Sequence, residues 1–222
     1  MTRVKICGVT TLDDARMVAQ AGAAMIGLNF YPPSPRSIDP GNARLLVQSL
    51  RAELGDRCPL FIGVFVNPTE DELPRIMSEV NLDAAQLSGD ETPQLLVMLA
   101  GRAFKALRPV SLDAALQDVE DFSGSAPKDE HLPALLVDAY HPSLYGGTGE
   151  TANLELFAAI QVRVPRLMLA GGLTPENVGD RVKIAQPWGV DVASGVEDDT
   201  PDRKSAARVA AFIEAVHQAN RA

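Results

Sequence analysis

The feature that most constrains this chain is a regular alternation. Short apolar runs exchange with amphipathic helical patterns along all 222 residues, in eight units with no obvious linker between them. The apolar runs read as strands over 3–7, 24–30, 60–66, 83–87, 103–107, 133–138, 166–170 and 189–193. They are apolar on both faces, as strands are when helices cover both sides of a parallel sheet. Eight strand–helix units in series predict an α/β fold: one single-domain (β/α)8 TIM barrel over residues 1–222, compact for a class of about 250 residues. A doubly wound open sheet is the competing architecture, but no GxGxxG turn follows the first strand.

Local signals punctuate the units. Thr10 or Thr11 can cap the first helix, and Asp13 and Asp14 suit its positive end. Leu46, Leu50 and Leu54 form one stripe on the second helix. Thr69 and Glu72 have capping-box spacing, but Pro74 conflicts with a helix that has already begun there. Ser111 should cap a short helix followed by a polar loop over 120–131. Thr174 and Pro175 predict a helix starting directly after the seventh strand, with Thr174 as N-cap.

Composition narrows the function classes. A net charge of −9 argues against a broad nucleic-acid or anionic-membrane surface, while leaving room for one small anion held locally. No apolar run approaches the roughly 18 residues of a membrane span, and Met1-Thr2-Arg3 leads straight into a strand without a signal core. Cys7 and Cys58 form no CxxC pair, and His131, His141 and His217 are scattered. Neither a disulfide framework nor a metal site is expected, and a reducing, cytoplasmic setting is.

Barrel active sites sit at the C-terminal ends of the strands. Polar residues there are Cys7 after the first strand, Gln86 near the end of the fourth, Asp138 at the end of the sixth and Asp191 in the eighth. Each could instead be a cap or a packed polar group, and a free cysteine is by default a small buried hydrophobe. Glycine clusters follow the sixth, seventh and eighth strands: Gly146-Gly147-Thr148-Gly149, Gly171-Gly172 and Ser194-Gly195. Such backbone lets N–H groups approach a phosphate, the ligand barrels commonly hold beside strands seven and eight. A thiolate and a carboxylic acid facing each other across the mouth would form a workable base–acid pair. Lys5, one step below Cys7 on the same strand face, could stabilise the thiolate.

A set of motifs then resembles a known family. Lys5-Ile6-Cys7-Gly8-Val9-Thr10, Ser34-Pro35-Arg36, Gly63-Val64-Phe65-Val66, Gln86-Leu87-Ser88-Gly89-Asp90-Glu91, Leu136-Val137-Asp138-Ala139, Tyr145 to Gly149, Leu169 to Leu173, and Asp191 to Glu197 resemble, in order, the motifs of phosphoribosylanthranilate isomerase. The resemblance implies an Amadori rearrangement of N-(5-phosphoribosyl)anthranilate in tryptophan biosynthesis, with no cofactor and no metal. It implies Cys7 as general base and Asp138 as general acid, Arg36 on the anthranilate carboxylate, and Asp191 near the sugar hydroxyls. Gly147, Gly171, Gly172, Ser194 and Gly195 would hold the phosphate. The expected partner is a small phosphorylated substrate, with neither nucleic acid nor membrane, and the expected state is monomer or homodimer. A non-catalytic barrel that binds a related sugar phosphate is the alternative. Three stretches depart from the family pattern. Ser88 stands for the usual His, Thr151-Ala152-Asn153-Leu154 opens the sixth helix, and the run after Glu197 to Lys204 lacks the usual Gly-x-Lys-Asp order.

Overall fold

The computed structural model describes residues 1–138, 153–198, 200 and 202–221. In chain order the elements are β1 (Arg3–Cys7), α1 (Leu12–Gln20), β2 (Met25–Asn29), α2 (Pro40–Leu54), β3 (Leu60–Phe65), α3 (Glu72–Val80), β4 (Ala84–Leu87) and α4 (Pro93–Met98). They continue with β5 (Ala103–Leu107), α5 (Leu112–Phe122), β6 (Leu135–Val137), α6 (Leu154–Gln161), β7 (Leu167–Leu169), α7 (Val178–Ala185), β8 (Gly189–Val192) and α8 (Ala206–Arg221). The strands are all parallel, and β8 pairs with β1 to close the barrel. The expected (β/α)8 TIM barrel is therefore the fold, and the open sheet is excluded. Among the described residues no helix is long and apolar enough to cross a membrane.

Strand alternation divides the core into two compartments. Met25, Ile62, Ala84, Phe104, Ala106, Leu136 and Met168 fill the bore. Ile6, Ile26, Phe61, Leu87, Leu107, Leu135 and Val190 point outward, where they pack with helix residues such as Leu50, Ile76, Phe157 and Phe212. Both faces are buried, which is why the strands read as continuous apolar runs. Lys5 lies on the bore-facing side of β1 and is fully buried.

Most helix boundaries follow their local chemistry. Thr11 caps α1 by accepting from the Asp14 N–H, and Ser111 caps α5 through Ala114. Asn153 opens α6, accepting from the N–H groups of Glu155 and Leu156. α3 absorbs Pro74 in its first turn, where no intrahelical N–H bond is lost. Thr69 still accepts from Glu72, at 3.1 Å. Two expectations need correction. α5 is 11 residues long and runs to Phe122, into the stretch expected to be loop. α7 begins at Val178 rather than behind a Thr174 cap. Asn177 folds back there, accepting from the Thr174 N–H and donating to the Gly172 carbonyl, so a turn precedes the helix.

A buried ion pair ties two loops to β5 at the C-terminal end of the barrel. Glu91, in the β4–α4 loop, accepts from Lys105 Nζ of β5 at 2.7 Å, from the Gly89 N–H at 2.9 Å and from the Asn67 N–H of the β3–α3 loop at 2.8 Å. Burial pushes the Lys105 ammonium below its ordinary range, and Glu91 opposes that shift. Glu91→Gln removes the opposing charge and should lower stability by about 3 kcal/mol at neutral pH. The deficit should shrink as pH approaches about 10.4, where lysine in the unfolded chain also loses its proton. Urea denaturation at the two pH values checks this, and an unchanged midpoint would contradict it.

Candidate active site at the mouth of the barrel

The C-terminal ends of the strands open into one cavity of about 340 Å³, within the range of small-molecule sites. Cys7, Arg36, Asp138, Asp191, Gly171, Gly172, Ser194 and Gly195 all line it. The fold thus brings together eight of the nine site residues proposed from sequence, from five different strand–loop junctions. Gly147, with the rest of its glycine run, lies outside the described residues.

Cys7 ends β1 with its side chain toward the bore, two residues above Lys5. Room for it comes from Gly27 on the neighbouring strand. A Cβ there would lie 2.8 Å from Cys7 Sγ and 3.1 Å from Lys5 Nζ. Lys5 was expected to stabilise the thiolate, and its closest bond is elsewhere: Nζ donates to Asp191 Oδ1 at 2.9 Å. The two residues are register partners across the β1–β8 seam. Burial is the largest influence on Cys7 and raises its thiol pKa. The positive charges of Lys5 and Lys204 pull it back down, while Asp191 pushes it up. Lys5 therefore offsets part of the effect of burial and favours the thiolate form of Cys7. Burial acts against the Lys5 ammonium, but the charge and hydrogen bond of Asp191, with a smaller contribution from Cys7, outweigh it and raise the lysine pKa.

Asp138 follows β6 on the opposite wall, its N–H bonded to the Leu107 carbonyl at 2.9 Å. It is half-buried, in contrast to the fully buried Lys5. Gln86 of β4 and Ser88, just past its end, face the cavity together: Gln86 Nε2 donates to Ser88 Oγ at 3.1 Å. Ser88 thus answers its neighbour where the family pattern has a histidine. Gln86 Oε1 is buried and has no hydrogen-bond partner among the described residues.

The floor beside β7 and β8 suits an anion. Gly171 and Gly172 turn with φ of 92° and 57°. Ser194 and Gly195 open a short 3-10 turn against them. A Cβ on Gly195 would collide with the Leu173 carbonyl oxygen, so only glycine lets the two loops meet. Among the described residues, no turn or loop carbonyl takes the N–H groups of Gly172, Ser194 or Gly195. Such N–H groups are suited to phosphate oxygens.

Arg36 reaches the cavity from the β2–α2 loop. Asn29 organises that loop, donating to Ser34 Oγ and accepting from the Tyr31 N–H. Ser34 Oγ in turn accepts from the Arg36 N–H. The guanidinium is already engaged on one side by Glu197: Nε to Oε1 at 2.6 Å and Nη2 to Oε2 at 2.8 Å. Lys204 shares Glu197, with Nζ 2.8 Å from Oε1. Sequence reading assigned neither Glu197 nor Lys204 a role. Both belong to the stretch after β8, and Arg36 is 161 positions away from Glu197, so no local spacing announces the pair.

Comparison with known proteins agrees with this geometry. The family model for N-(5'-phosphoribosyl)anthranilate (PRA) isomerase matches residues 4–215. The N-(5'-phosphoribosyl)anthranilate isomerase of Moorella thermoacetica is 42% identical over 222 residues, covering 99% of this chain and 91% of its own. Phosphoribosyl anthranilate isomerase from Thermotoga maritima has a TM-score of 0.84 at 33% identity, covering 98% of this chain and 100% of that one. A phosphoribosyl anthranilate isomerase solved with reduced 1-(o-carboxyphenylamino)-1-deoxyribulose 5-phosphate has a TM-score of 0.80 at 31% identity, covering 98% and 100%. With a family match over most of its length and relatives of this similarity, the chain belongs to the N-(5'-phosphoribosyl)anthranilate isomerase family.

Proposed function

We propose that this protein converts N-(5-phosphoribosyl)anthranilate to 1-(2-carboxyphenylamino)-1-deoxyribulose 5-phosphate, with Cys7 as general base and Asp138 as general acid. The observation that carries the assignment is that a thiol and a carboxyl from distant strands share one cavity with an arginine and a set of glycine-bearing loops. That arrangement matches an elongated substrate with a carboxylate, a sugar and a phosphate.

The chemistry balances within the substrate. Asp138, protonated, gives its proton to the ring oxygen as the C1–O bond breaks and the anilino nitrogen lone pair forms a C1=N iminium. Cys7 Sγ, as thiolate, takes the proton on C2. The C2–H electrons form a C1=C2 bond, and the iminium electrons return to nitrogen. The enolamine then loses its 2-hydroxyl proton and gains one at C1, leaving a ketone at C2 and a methylene at C1. C2 is oxidised and C1 reduced, so no external redox partner enters the equation.

The other residues bind and orient. Gly171, Gly172, Ser194 and Gly195 receive the phosphate through backbone N–H groups, in which role Gly147 joins them. Arg36 takes the anthranilate carboxylate by charge-assisted hydrogen bonds. Asp191 holds Lys5 and lies near the sugar hydroxyls, and Gln86 Oε1 accepts from a hydroxyl or N–H of the substrate.

Freshly prepared N-(5-phosphoribosyl)anthranilate should lose its fluorescence on incubation with the protein. Cys7→Ala and Asp138→Asn should each lower kcat by about 10²- to 10⁴-fold, with thermal melting close to the parent. Full activity in either variant would remove that residue from its role. Binding without turnover by the parent protein would instead favour a non-catalytic barrel.

A further inference from the structure

We propose that Glu197 is a positioning residue for carboxylate recognition. It occupies one edge of the Arg36 guanidinium and fixes its plane, so that the other edge is what the substrate meets. This deepens the isomerase reading and rests on it.

A guanidinium offers two paired edges, Nε with Nη2 and Nη1 with Nη2. Glu197 takes the first edge through two bonds of 2.6 and 2.8 Å. Among the described residues nothing bonds to Nη1, and Arg36 lines the cavity. The second edge is therefore left for a carboxylate. The stem is fixed as well: a Cβ on Gly8 would lie 2.6 Å from Arg36 Cδ, so the arginine lies directly against the β1–α1 turn.

Charge supports the same assignment. An isolated Arg36–Glu197 pair would be neutral and would attract an anion weakly. Lys204 changes that. Its Nζ is buried, 2.8 Å from Glu197 Oε1 and 3.1 Å from the Ala193 carbonyl. Two basic side chains share one carboxylate; burial lowers the Lys204 pKa and Glu197 opposes that shift, so the cluster carries more basic than acidic groups at the cavity wall.

The cluster is held from outside the cavity. Glu197 and Lys204 are backbone partners in an antiparallel bridge. The Ser205 N–H donates to the Val196 carbonyl at 2.9 Å. Asp14 of α1, itself buried, accepts from Arg203 Nε at 3.1 Å and from the Lys204 N–H at 3.3 Å. Thr10 Oγ1 donates to the Asp202 carbonyl at 2.9 Å. The segment after β8, which departs from the family order, is thus a strap that presents Lys204 and Glu197 to Arg36.

Binding of two reduced, non-reacting product analogues tests the proposal. One is 1-(2-carboxyphenylamino)-1-deoxyribitol 5-phosphate, and the other is its phenylamino counterpart without the carboxyl group. In Glu197→Gln the Kd of the first should rise roughly 10- to 100-fold, the range expected for loss of an oriented charged hydrogen bond. The Kd of the second should change less than about threefold, because it never engages Arg36. Glu197→Gln leaves Lys204 buried without its carboxylate, so Glu197→Gln/Lys204→Met serves if the single variant fails to fold, and it should show the same split. Equal weakening of both ligands, or no weakening of either, would overturn the role of Glu197. Turnover of phosphoribosylanthranilate by the parent protein, measured alongside, separates the two claims. Its absence overturns the isomerase reading, whereas turnover with an unsplit Kd pattern overturns only the positioning role.

Discussion

The Lys5–Asp191 ion pair is the interaction on which the rest of the structure depends. It crosses the seam where the last strand meets the first, with the two residues in direct register and 2.9 Å between the charged atoms. A lysine with no exposed side-chain surface is tolerable in a barrel bore only with such a partner. Slipping β8 by one residue would turn Asp191 toward the helices and leave that charge unpaired. The pair therefore penalises a one-residue slip at the closing seam of the barrel. It also fixes what stands next to it, since Cys7 lies two residues above Lys5 on the same face and both crowd against Gly27.

The same principle recurs twice around the rim. Glu91 with Lys105 ties the loops after β3 and β4 to β5, and Glu197 with Arg36 and Lys204 ties the β2–α2 loop to the strap after β8. In each case buried charge is satisfied by partners from elements distant in sequence, and the loops that carry ligand-facing residues are held by it. The chain carries a net charge of −9, so its overall field does not draw in an anionic substrate. On the proposed reading, Arg36 with Lys204 and the N–H groups beside β7 and β8 supply that attraction locally instead.

These physical facts explain what was legible in the sequence. Strands buried on both faces advertise themselves as apolar runs, so eight strand–helix units were readable, and the barrel followed from their number. Cys7, Asp138, Asp191 and the glycine pairs were readable because strand ends in a barrel converge on one mouth. Thr11 and Ser111 were readable because a cap acts within three residues. Contacts that close over long separations were not. The partner of Lys5 is 186 positions away, and only barrel closure reveals it. Glu197 stood within a recognised motif, yet its grip on Arg36 depends on two loops meeting. The Thr174-Pro175 signal failed because Asn177 offers the Thr174 N–H a competing acceptor, which delays the helix to Val178.

The proposed base depends on the protonation of Cys7, whose pKa burial pushes up and the neighbouring lysines pull down. The direct measurement is the pH dependence of Cys7 alkylation in a Cys58→Ser background, compared between the Lys5 parent and Lys5→Met. The predicted result is a midpoint above the ordinary thiol value of about 8.5 in the parent, moved higher still in Lys5→Met, where Asp191 repels the thiolate without its counter-ion. A parent midpoint at or below the ordinary value, or one that Lys5→Met leaves in place, would contradict it.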